Sequence, residues 1–449
     1  MIGGLIALAG RLEGRSGVLG IVKLSNVALA MLWGFVVTFV FVRLLPIGEF
    51  RSFLVLTAFA NFTVSAELGL SAITYARLRR TRVGDEQTFH ASEIVGLLWL
   101  MGGIVLSGAG LIALAMVTGF LKTAYPALFL AFYGVAAMNL LTLLARRALA
   151  AVDQNLWWEA LDGIRRFSGI ALLIAALGPM PILVSVLLQL VIALAVLWAG
   201  LATIHTMLRM HGAQWIQAGR GLAHIRTHYL PDLGRTGTLT LCDVAAYNAP
   251  YFTIAAATAD PRPLLLFDFV FKLSRALSSV IRALAETVLP GLTRAAFQAN
   301  AALVRRDVLR CLGLALGGTF AGSVALLLLG PWLANIVFDG NIDIQPLEIE
   351  MIIALLFGLS LICVSVYLQW GLGRFGSLVK PSLLLLIGSL LSVPLAILLH
   401  RAFGWDLSLT FLGLYAIVHL SLAAIHGAML LRLSGLAASG MPVARGKKA

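Results

Sequence analysis

The sequence LLLFDFVFKLSRALSSVIRALAETVLPGL, from Leu264 to Leu292, is mostly apolar and long enough to cross a bilayer, yet it contains charged side chains. The five charged residues, here called the charged stripe, are Asp268, Lys272, Arg275, Arg282 and Glu286. On an α-helix they fall, with Ser279, within an arc of roughly 80° along about 27 Å of the axis. Charge at this depth in a membrane is costly unless it faces protein or water, so the pattern predicts a water-filled cavity inside a helix bundle.

Two pairs within the charged stripe have the spacing of helical ion pairs. Asp268 lies four residues before Lys272, and Arg282 lies four residues before Glu286. Arg275, near the middle of the stretch, is left as an excess cation. The alternative to a cavity is an ion-pair network that only stabilises the bundle, or a helix lying on the membrane surface. A surface helix does not need acids and bases over a full membrane thickness.

The apolar segment before this one also carries polar side chains. Asp243, Tyr247 and Tyr251 share one helical face, and Asn248 lies beside them. Antiparallel packing of the two segments predicts that Asp243 approaches Arg282. The complete set of residues predicted to line the cavity is Lys272, Arg275, Arg282, Asp243, Asp268, Glu286, Tyr247, Asn248, Asn61 and Glu67.

The first half of the chain has fewer polar residues within its apolar segments. Asn61 and Glu67 interrupt one of them, and we expect both to face the cavity. Asp162, Arg165 and Arg166 lie in the first turns of another segment, where arginine can extend to the cytoplasmic surface. We expect a structural role for these three residues.

The composition is that of a polytopic α-helical membrane protein. Of 449 residues 60% are hydrophobic and 12% are charged, and the mean hydropathy is +0.96. Long runs that are apolar on all sides exclude the alternating strands of a β-barrel. About twelve transmembrane helices are predicted, at roughly 23–45, 50–76, 92–120, 125–145, 158–178, 180–208, 235–258, 264–292, 308–336, 349–373, 379–400 and 406–431.

The predicted segments divide into two six-helix lobes around a central cavity. The lobes are 23–208 and 235–431, joined by a cytoplasmic connection at 209–234. Residues 1–22 are predicted to be a cytoplasmic or interfacial N-terminal segment, and residues 432–449 a basic cytoplasmic tail. The similar layout of the two halves suggests a parallel internal repeat.

The distribution of lysine and arginine predicts the orientation. Of the 33 basic residues, 23 fall in one set of connections, five in the alternate set and five inside helices. This asymmetry places both termini in the cytoplasm, in what we expect to be a bacterial inner membrane. The formal charge of +13 is therefore a topology signal, and no nucleic-acid partner is expected.

No sequence motif for catalysis, metal binding or nucleotide binding is matched in full. Gly371, Gly373 and Gly376 spell GxGxxG but end a membrane helix, and Gly440 to Lys448 departs from a phosphate-binding loop in spacing. The chain is therefore predicted not to be an enzyme, with no cofactor and no metal site. An excess of cations in a cavity selects anions, and arginine binds phosphate in bidentate fashion. A lipid diphosphate head group is a natural occupant.

Several stretches resemble the polysaccharide flippases of the multidrug, oligosaccharidyl-lipid and polysaccharide exporter superfamily, the Wzx-type O-antigen translocases and their relatives. In chain order, the similar stretches are Arg43-Leu-Leu-Pro-Ile-Gly-Glu-Phe50, Glu67-Leu-Gly-Leu-Ser71, Phe267 to Lys272, Val288-Leu-Pro-Gly-Leu-Thr-Arg294, Leu329-Gly-Pro-Trp332, Val337-Phe-Asp-Gly340 and Gln369 to Arg374. The turn Asp260-Pro-Arg-Pro263 departs from the pattern, because relatives more often have a glycine-rich turn there. The acids flanking the cations of the charged stripe are a second departure.

The resemblance implies a flippase that carries undecaprenyl-diphosphate-linked sugar from the cytoplasmic to the periplasmic leaflet by alternating access. Lys272, Arg275 and Arg282 would hold the diphosphate, while Asp243, Asp268 and Glu286 would tune or release it. These acids could also couple transport to a proton or a sodium ion. The implied partners are the lipid-linked oligosaccharide, membrane lipids and the polysaccharide assembly machinery.

Two alternative functions stay open from the sequence. A drug or metabolite antiporter of the same superfamily would have a cavity dominated by acids. A membrane glycosyltransferase or ligase would need catalytic groups on a substantial outer loop, and the predicted outer connections are short.

Overall fold

The structure is a computed structural model, and it describes residues 16–83, 89–298, 300–372 and 374–436. Residues 1–15 of the predicted N-terminal segment, residues 437–449 of the predicted basic tail, and Gly373 of the glycine motifs lie outside the described residues. Within them there are fourteen α-helices, one 3-10 helix and no β-strand. The prediction of an all-helical chain is confirmed.

Eight helices and a 3-10 helix precede the middle of the chain. They are α1 (Ser16–Leu44), α2 (Ile47–Ser65), α3 (Leu70–Val83), α4 (Ala91–Val117), α5 (Pro126–Ala151), α6 (Asn155–Ala175), α7 (Ile182–Met207), the 3-10 helix Gly212–Ile216, and α8 (Ala218–His228). Six helices follow: α9 (Leu230–Ala257), α10 (Arg262–Phe297), α11 (Ala301–Phe338), α12 (Pro346–Gly371), α13 (Phe375–Phe403) and α14 (Leu407–Leu436).

All twelve predicted membrane segments are helical. Within the described ranges, nine helical stretches are long and apolar enough to cross a membrane by length and composition. The other three predicted segments form α6, α9 and α10, which contain the intramembrane charges and so are less apolar. These helices make the chain a multi-pass membrane protein.

The second predicted segment is not one continuous helix. It breaks between α2 and α3, where Leu68 has a φ of 50° and Gly69 a φ of 90°. The left-handed backbone is easy for Gly69 but strained for Leu68. The Glu67 carboxylate accepts a hydrogen bond from the Ser71 backbone N–H at 2.9 Å and so satisfies a free donor at the start of α3.

The start of α10 has a local cause in the sequence. The Asp260 carboxylate accepts a hydrogen bond from the Arg262 backbone N–H at 3.0 Å. A proline in the first turn of this helix costs no hydrogen bond, because the first N–H groups of a helix have no internal partner. The helix then continues to Phe297, five residues beyond the predicted end of the segment.

The chain divides into two compact units, Met1–Asn248 and Ala249–Ala449. In the first unit α5 packs against α2, α3, α4 and α7, and in the second α12 packs against α10, α11 and α14. The fourth predicted segment of each half is thus the central one, with 61% and 56% of its most apolar window buried, the two highest values among the candidate spans. The internal repeat itself stays a prediction.

The division between the units falls inside α9 and not within the predicted connection 209–234. The first part of α9 packs on the first unit, because its Gly237 lies against Leu68. The connection itself is largely ordered, since it contains the 3-10 helix and α8.

Candidate functional site

Helix α10 presents two different surfaces within the second unit. One side is buried apolar, with Ile281, Ala285, Val288 and Leu292 at helical spacing. Arg275, Arg282 and Glu286 lie on the exposed side. Exposed charges thus continue over several turns of this helix, and the water-facing cavity surface stays a prediction.

The N-terminal part of the charged stripe, Asp268 and Lys272, is buried and paired. The Lys272 ammonium forms an ion pair with one carboxylate oxygen of Asp268. The Tyr251 hydroxyl of α9 donates a hydrogen bond to the other oxygen at 2.7 Å. Asp268 is only 2% exposed, and the rings of Phe267 and Phe271 pack edge-on against Tyr251. The carboxylate is therefore saturated by protein groups in an aromatic surrounding.

The C-terminal part of the charged stripe, Arg282 and Glu286, is paired but exposed. Arg282 Nε lies 3.2 Å from Glu286 Oε1, and the two side chains are 53% and 56% exposed. Both ion pairs predicted from the four-residue spacing are thus present in the structure. The two pairs differ in environment. Arg282 and Glu286 can each take another partner without leaving a buried charge unpaired, whereas Asp268 and Lys272 cannot.

Arg275 lies between these two pairs. Its guanidinium is over the Phe271 ring at 5.8 Å from the centroid, a cation–π geometry. Among the residues that the structure describes, no carboxylate forms an ion pair with it. Helix α12 supports the neighbouring turn, since the Tyr367 hydroxyl donates to the Ser278 carbonyl oxygen at 3.4 Å. Arg275 is the excess cation that the sequence predicts.

Five other predicted residues lie in the first unit. The Asn61 side chain of α2 donates to the Asn248 side-chain oxygen of α9 at 3.1 Å. Asp243 and Tyr247 are half-buried on the turns of α9 that precede Asn248. The structure therefore brings Asn61 and Asn248 together. The approach of Asp243 to Arg282 would join residues of the two units and stays a prediction.

Glu67 has a local structural task. It lies in the break between α2 and α3 and caps α3 through Ser71. Its predicted role in the cavity stays a prediction, and the observed role follows from the positive-φ turn that the sequence pattern did not anticipate.

Helix α6 contains a second, closed group of charges. Asp162 accepts hydrogen bonds from Arg165 Nη2 at 2.6 Å and from Arg166 Nε at 2.8 Å. Arg165 also donates to the Asn139 side-chain oxygen of α5 at 3.0 Å. Its side chain is 12% exposed, so it does not extend to the surface as the sequence suggested. This group supports the structural role expected for these residues.

A buried carboxylate at the start of α4 was not singled out from the sequence. Glu93 accepts hydrogen bonds from the Tyr229 hydroxyl at 2.7 Å and the His90 backbone N–H at 2.9 Å. Arg77 Nε lies 3.4 Å away and His224 Nε2 lies 3.1 Å away. His90 and Glu93 have the spacing of a helix capping box, a signal that could have identified the helix start. The cluster attaches α8 and the start of α9 to α4.

Tyr251 and Tyr367 were also missing from the predicted set. Tyr251 shares a helical face with Asp243 and Tyr247, so its position was visible in the sequence, but its contact with Asp268 needed the packing of α9 against α10. In the described ranges, no group of three His, Cys, Asp or Glu residues is placed to hold a metal ion.

Comparison with known proteins identifies the fold. No protein-family model matches the chain, and no curated protein matches it in sequence. A variant of the Vibrio cholerae MATE transporter VcmN superposes with a TM-score of 0.59 at 13% identity, covering 97% of this chain and 98% of that chain. The eukaryotic MATE transporter AtDTX14 gives a TM-score of 0.51 at 12% identity, covering 98% and 97%.

A third neighbour is a MOP superfamily transporter from Pyrococcus furiosus, described as having a binding pocket of reverse polarity that suggests a different function. It matches with a TM-score of 0.52 at 13% identity over 95% of this chain and 96% of that chain. All three neighbours are transporters and not enzymes. The fold implied by the flippase resemblance is confirmed: this chain has the fold of the MATE transporters.

Proposed function

We propose that this protein is an alternating-access exporter that moves a polyprenyl-diphosphate-linked oligosaccharide from the cytoplasmic to the periplasmic leaflet of a bacterial inner membrane, for polysaccharide biosynthesis. The observation that carries the proposal is Arg275, an exposed cation without a carboxylate partner among the described residues of a membrane-spanning helix. In a water-filled cavity at this depth, a guanidinium without a carboxylate partner is available to bind an anionic group such as a diphosphate.

Arg275 and Arg282 have complementary roles in this proposal. Arg275 is available to a diphosphate from the start, because no protein carboxylate competes for it. Arg282 is held by Glu286 at 3.2 Å, so a bound diphosphate must share or replace that carboxylate. Return of Glu286 to Arg282 then favours release of the cargo. Lys272 adds positive charge nearby, but it stays on Asp268.

The test is transport of a fluorescent lipid-linked sugar in proteoliposomes, with an impermeant reductant reporting which leaflet holds the lipid. Arg275→Gln removes a charge-assisted interaction that contributes about 1.5–3 kcal/mol, so the rate is expected to fall roughly 10- to 100-fold. Arg310→Gln is the matched control, because Arg310 is an exposed arginine of α11 outside the charged stripe. Equal rates in the two variants would remove Arg275 from the mechanism.

A second candidate function is a cation-coupled drug or metabolite antiporter. Two observations favour it: the fold neighbours include MATE transporters, and Asp268 is a buried carboxylate that can couple transport to a proton or a sodium ion. In the same liposomes an antiporter would accumulate a lipophilic dye against an imposed ion gradient. Asp268→Asn combined with Lys272→Met, which removes the acid without leaving a buried lysine charge, would abolish that uptake. Flippase activity needs no dye accumulation, so the two outcomes are distinct. Formation of a new glycosidic product would contradict both.

A further inference from the structure

An apolar groove lies on the first unit, and none of its lining residues belongs to the charged stripe. Its volume is about 700 Å³, and its walls come from α2, α4 and α8. Phe59 and Phe62 form one wall, Trp99 and Leu111 lie along the other, and Leu222 of α8 closes one end. Trp99 is 65% exposed, so the groove opens sideways and not into a sealed interior.

Glycine on α4 gives the groove its depth. Gly103 lines it, is exposed, and has nothing within 4 Å of the place where a side chain would begin. Gly108 also lines it, and there the Tyr133 hydroxyl occupies the space that a Cβ would take. The groove along the surface of α4 is therefore unobstructed at Gly103.

The length of the groove matches one leaflet of a bilayer. From Trp99 to Leu111 the α4 wall extends about 18 Å at 1.5 Å per residue. Half of a ~30 Å hydrocarbon core is about 15 Å. A single acyl chain of a phospholipid fits this length, whereas a long polyprenyl chain exceeds it.

The end of the groove at α8 carries positive charge. Leu222 lies against Gly96, near the beginning of α4, where the helix enters the membrane. Arg226 follows Leu222 by one turn on the same face of α8 and is exposed. Helix α8 contains no Asp or Glu, and within the described part of the chain Arg226 forms no ion pair. An anion at the membrane surface would complement it.

We propose that this groove binds one acyl chain of an anionic phospholipid, whose net negative head group lies beside Arg226. The apolar walls hold the chain, and the arginine selects the charged head group. Since one arginine near an anionic surface contributes about 1 kcal/mol, the preference over a zwitterionic lipid is expected to be about fivefold. The site is distinct from the cargo site, because none of its residues belongs to the set predicted to line the cavity.

Native mass spectrometry of the detergent-solubilised full chain tests the proposal. Phosphatidylglycerol and phosphatidylcholine with identical acyl chains are titrated separately, and the apparent Kd of the first bound lipid is measured. Gly103→Leu fills the groove and is expected to weaken phosphatidylglycerol binding at least fivefold. Gly102→Leu is the matched control, because Gly102 also has nothing within 4 Å but does not line the groove.

The charge of the site is tested by a second pair of variants. Arg226→Gln is expected to remove the preference for phosphatidylglycerol while phosphatidylcholine binding is unchanged. Arg220→Gln, on another face of the same helix, is expected to keep the preference. If Gly103→Leu does not yield a monodisperse protein, Ser107→Leu fills the same groove from a position one turn away.

Three results would overturn the proposal. The first is equal weakening by Gly103→Leu and Gly102→Leu, and the second is a wild-type protein that binds both lipids equally. The third is displacement of phosphatidylglycerol by polyprenyl phosphate at lower concentration, which would assign the groove to the cargo's tail.

Discussion

The Tyr251 hydroxyl donates a hydrogen bond to Asp268 at 2.7 Å, and the other oxygen of that carboxylate holds the Lys272 ammonium. One buried acid thus joins α9 to α10 and neutralises a lysine that is only 13% exposed. A buried ion pair contributes little net stability compared with apolar residues, but removing one partner leaves an uncompensated charge. This asymmetry makes the cluster testable by stability measurements alone.

Asp268→Asn is expected to destabilise the protein strongly. The substitution leaves Lys272 charged and buried, at a cost of about 3–5 kcal/mol. The additional change Lys272→Met removes the orphaned charge, so the double variant should recover much of the loss. Apparent melting temperatures in detergent measure both effects. A double variant no more stable than Asp268→Asn would show that Lys272 is not the reason for the loss.

Glu286→Gln is expected to leave stability nearly unchanged. Glu286 and Arg282 are more than half exposed, and such pairs contribute about 0–1 kcal/mol. The variant frees Arg282, so an anionic cargo should bind more tightly and leave more slowly. Equilibrium binding and transport rates of the lipid-linked sugar should therefore move in opposite directions. Weaker binding in Glu286→Gln would contradict the proposed competition between the carboxylate and the diphosphate.

The packing of α8 on α4 should depend on Gly221. A Cβ at this position would lie 2.0 Å from the backbone oxygen of Ser92, which cannot move aside easily. Gly221→Ala is therefore expected to loosen α8, at a cost of about 1–3 kcal/mol. Limited trypsin cleavage after Arg226 should become faster. Gly219→Ala is the matched control, because Gly219 lies on the same helix with nothing within 4 Å, and it should cleave at the wild-type rate.

The connection 209–234 is attached to α4 through Tyr229 and Glu93, and this attachment should weaken at high pH. Burial and the adjacent Glu93 carboxylate raise the pKa of Tyr229, whose ordinary value is 10.0. An acid whose pKa is higher in the folded state holds its proton there after the unfolded chain has lost it. Stability from this group is therefore fully present below about pH 10 and is lost as the pH rises further.

Tyr229→Phe isolates this pH dependence. Between pH 10 and higher values, the melting temperature of the wild type should fall more steeply than that of the variant. At pH 8 the variant should be less stable by about 1–3 kcal/mol, because Glu93 loses a buried donor. Tyr125→Phe, at an exposed position, should keep the wild-type slope. Parallel slopes for Tyr229→Phe and the wild type would contradict the prediction.

Some features of the candidate site are local and could be predicted. The Asp268–Lys272 and Arg282–Glu286 pairs each lie within one helix, so residue spacing alone determines that they can meet. The excess of Arg275 follows from the same spacing. Their different exposure could not be predicted, because it depends on Tyr251 of the neighbouring helix α9, which contacts only the first pair.

Contacts between distant parts of the chain had no local signal. Asn61 and Asn248 are 187 residues apart, and Tyr229 is 136 residues from Glu93. The break at Leu68 and Gly69 was also missed, because apolar residues continue on both sides of it.

The sequence by itself determined the class, the twelve membrane segments and the charged stripe on α10. The reason is that transfer of about twenty residues into a bilayer depends on their composition, and helical spacing then sets which residues share a face. Only the tertiary structure decided which charges are enclosed, how α8 attaches to α4, and where an apolar groove remains on the first unit. Apolar helix faces are much alike in composition, so their pairing depends on shape, on small residues such as Gly221 and on single polar contacts.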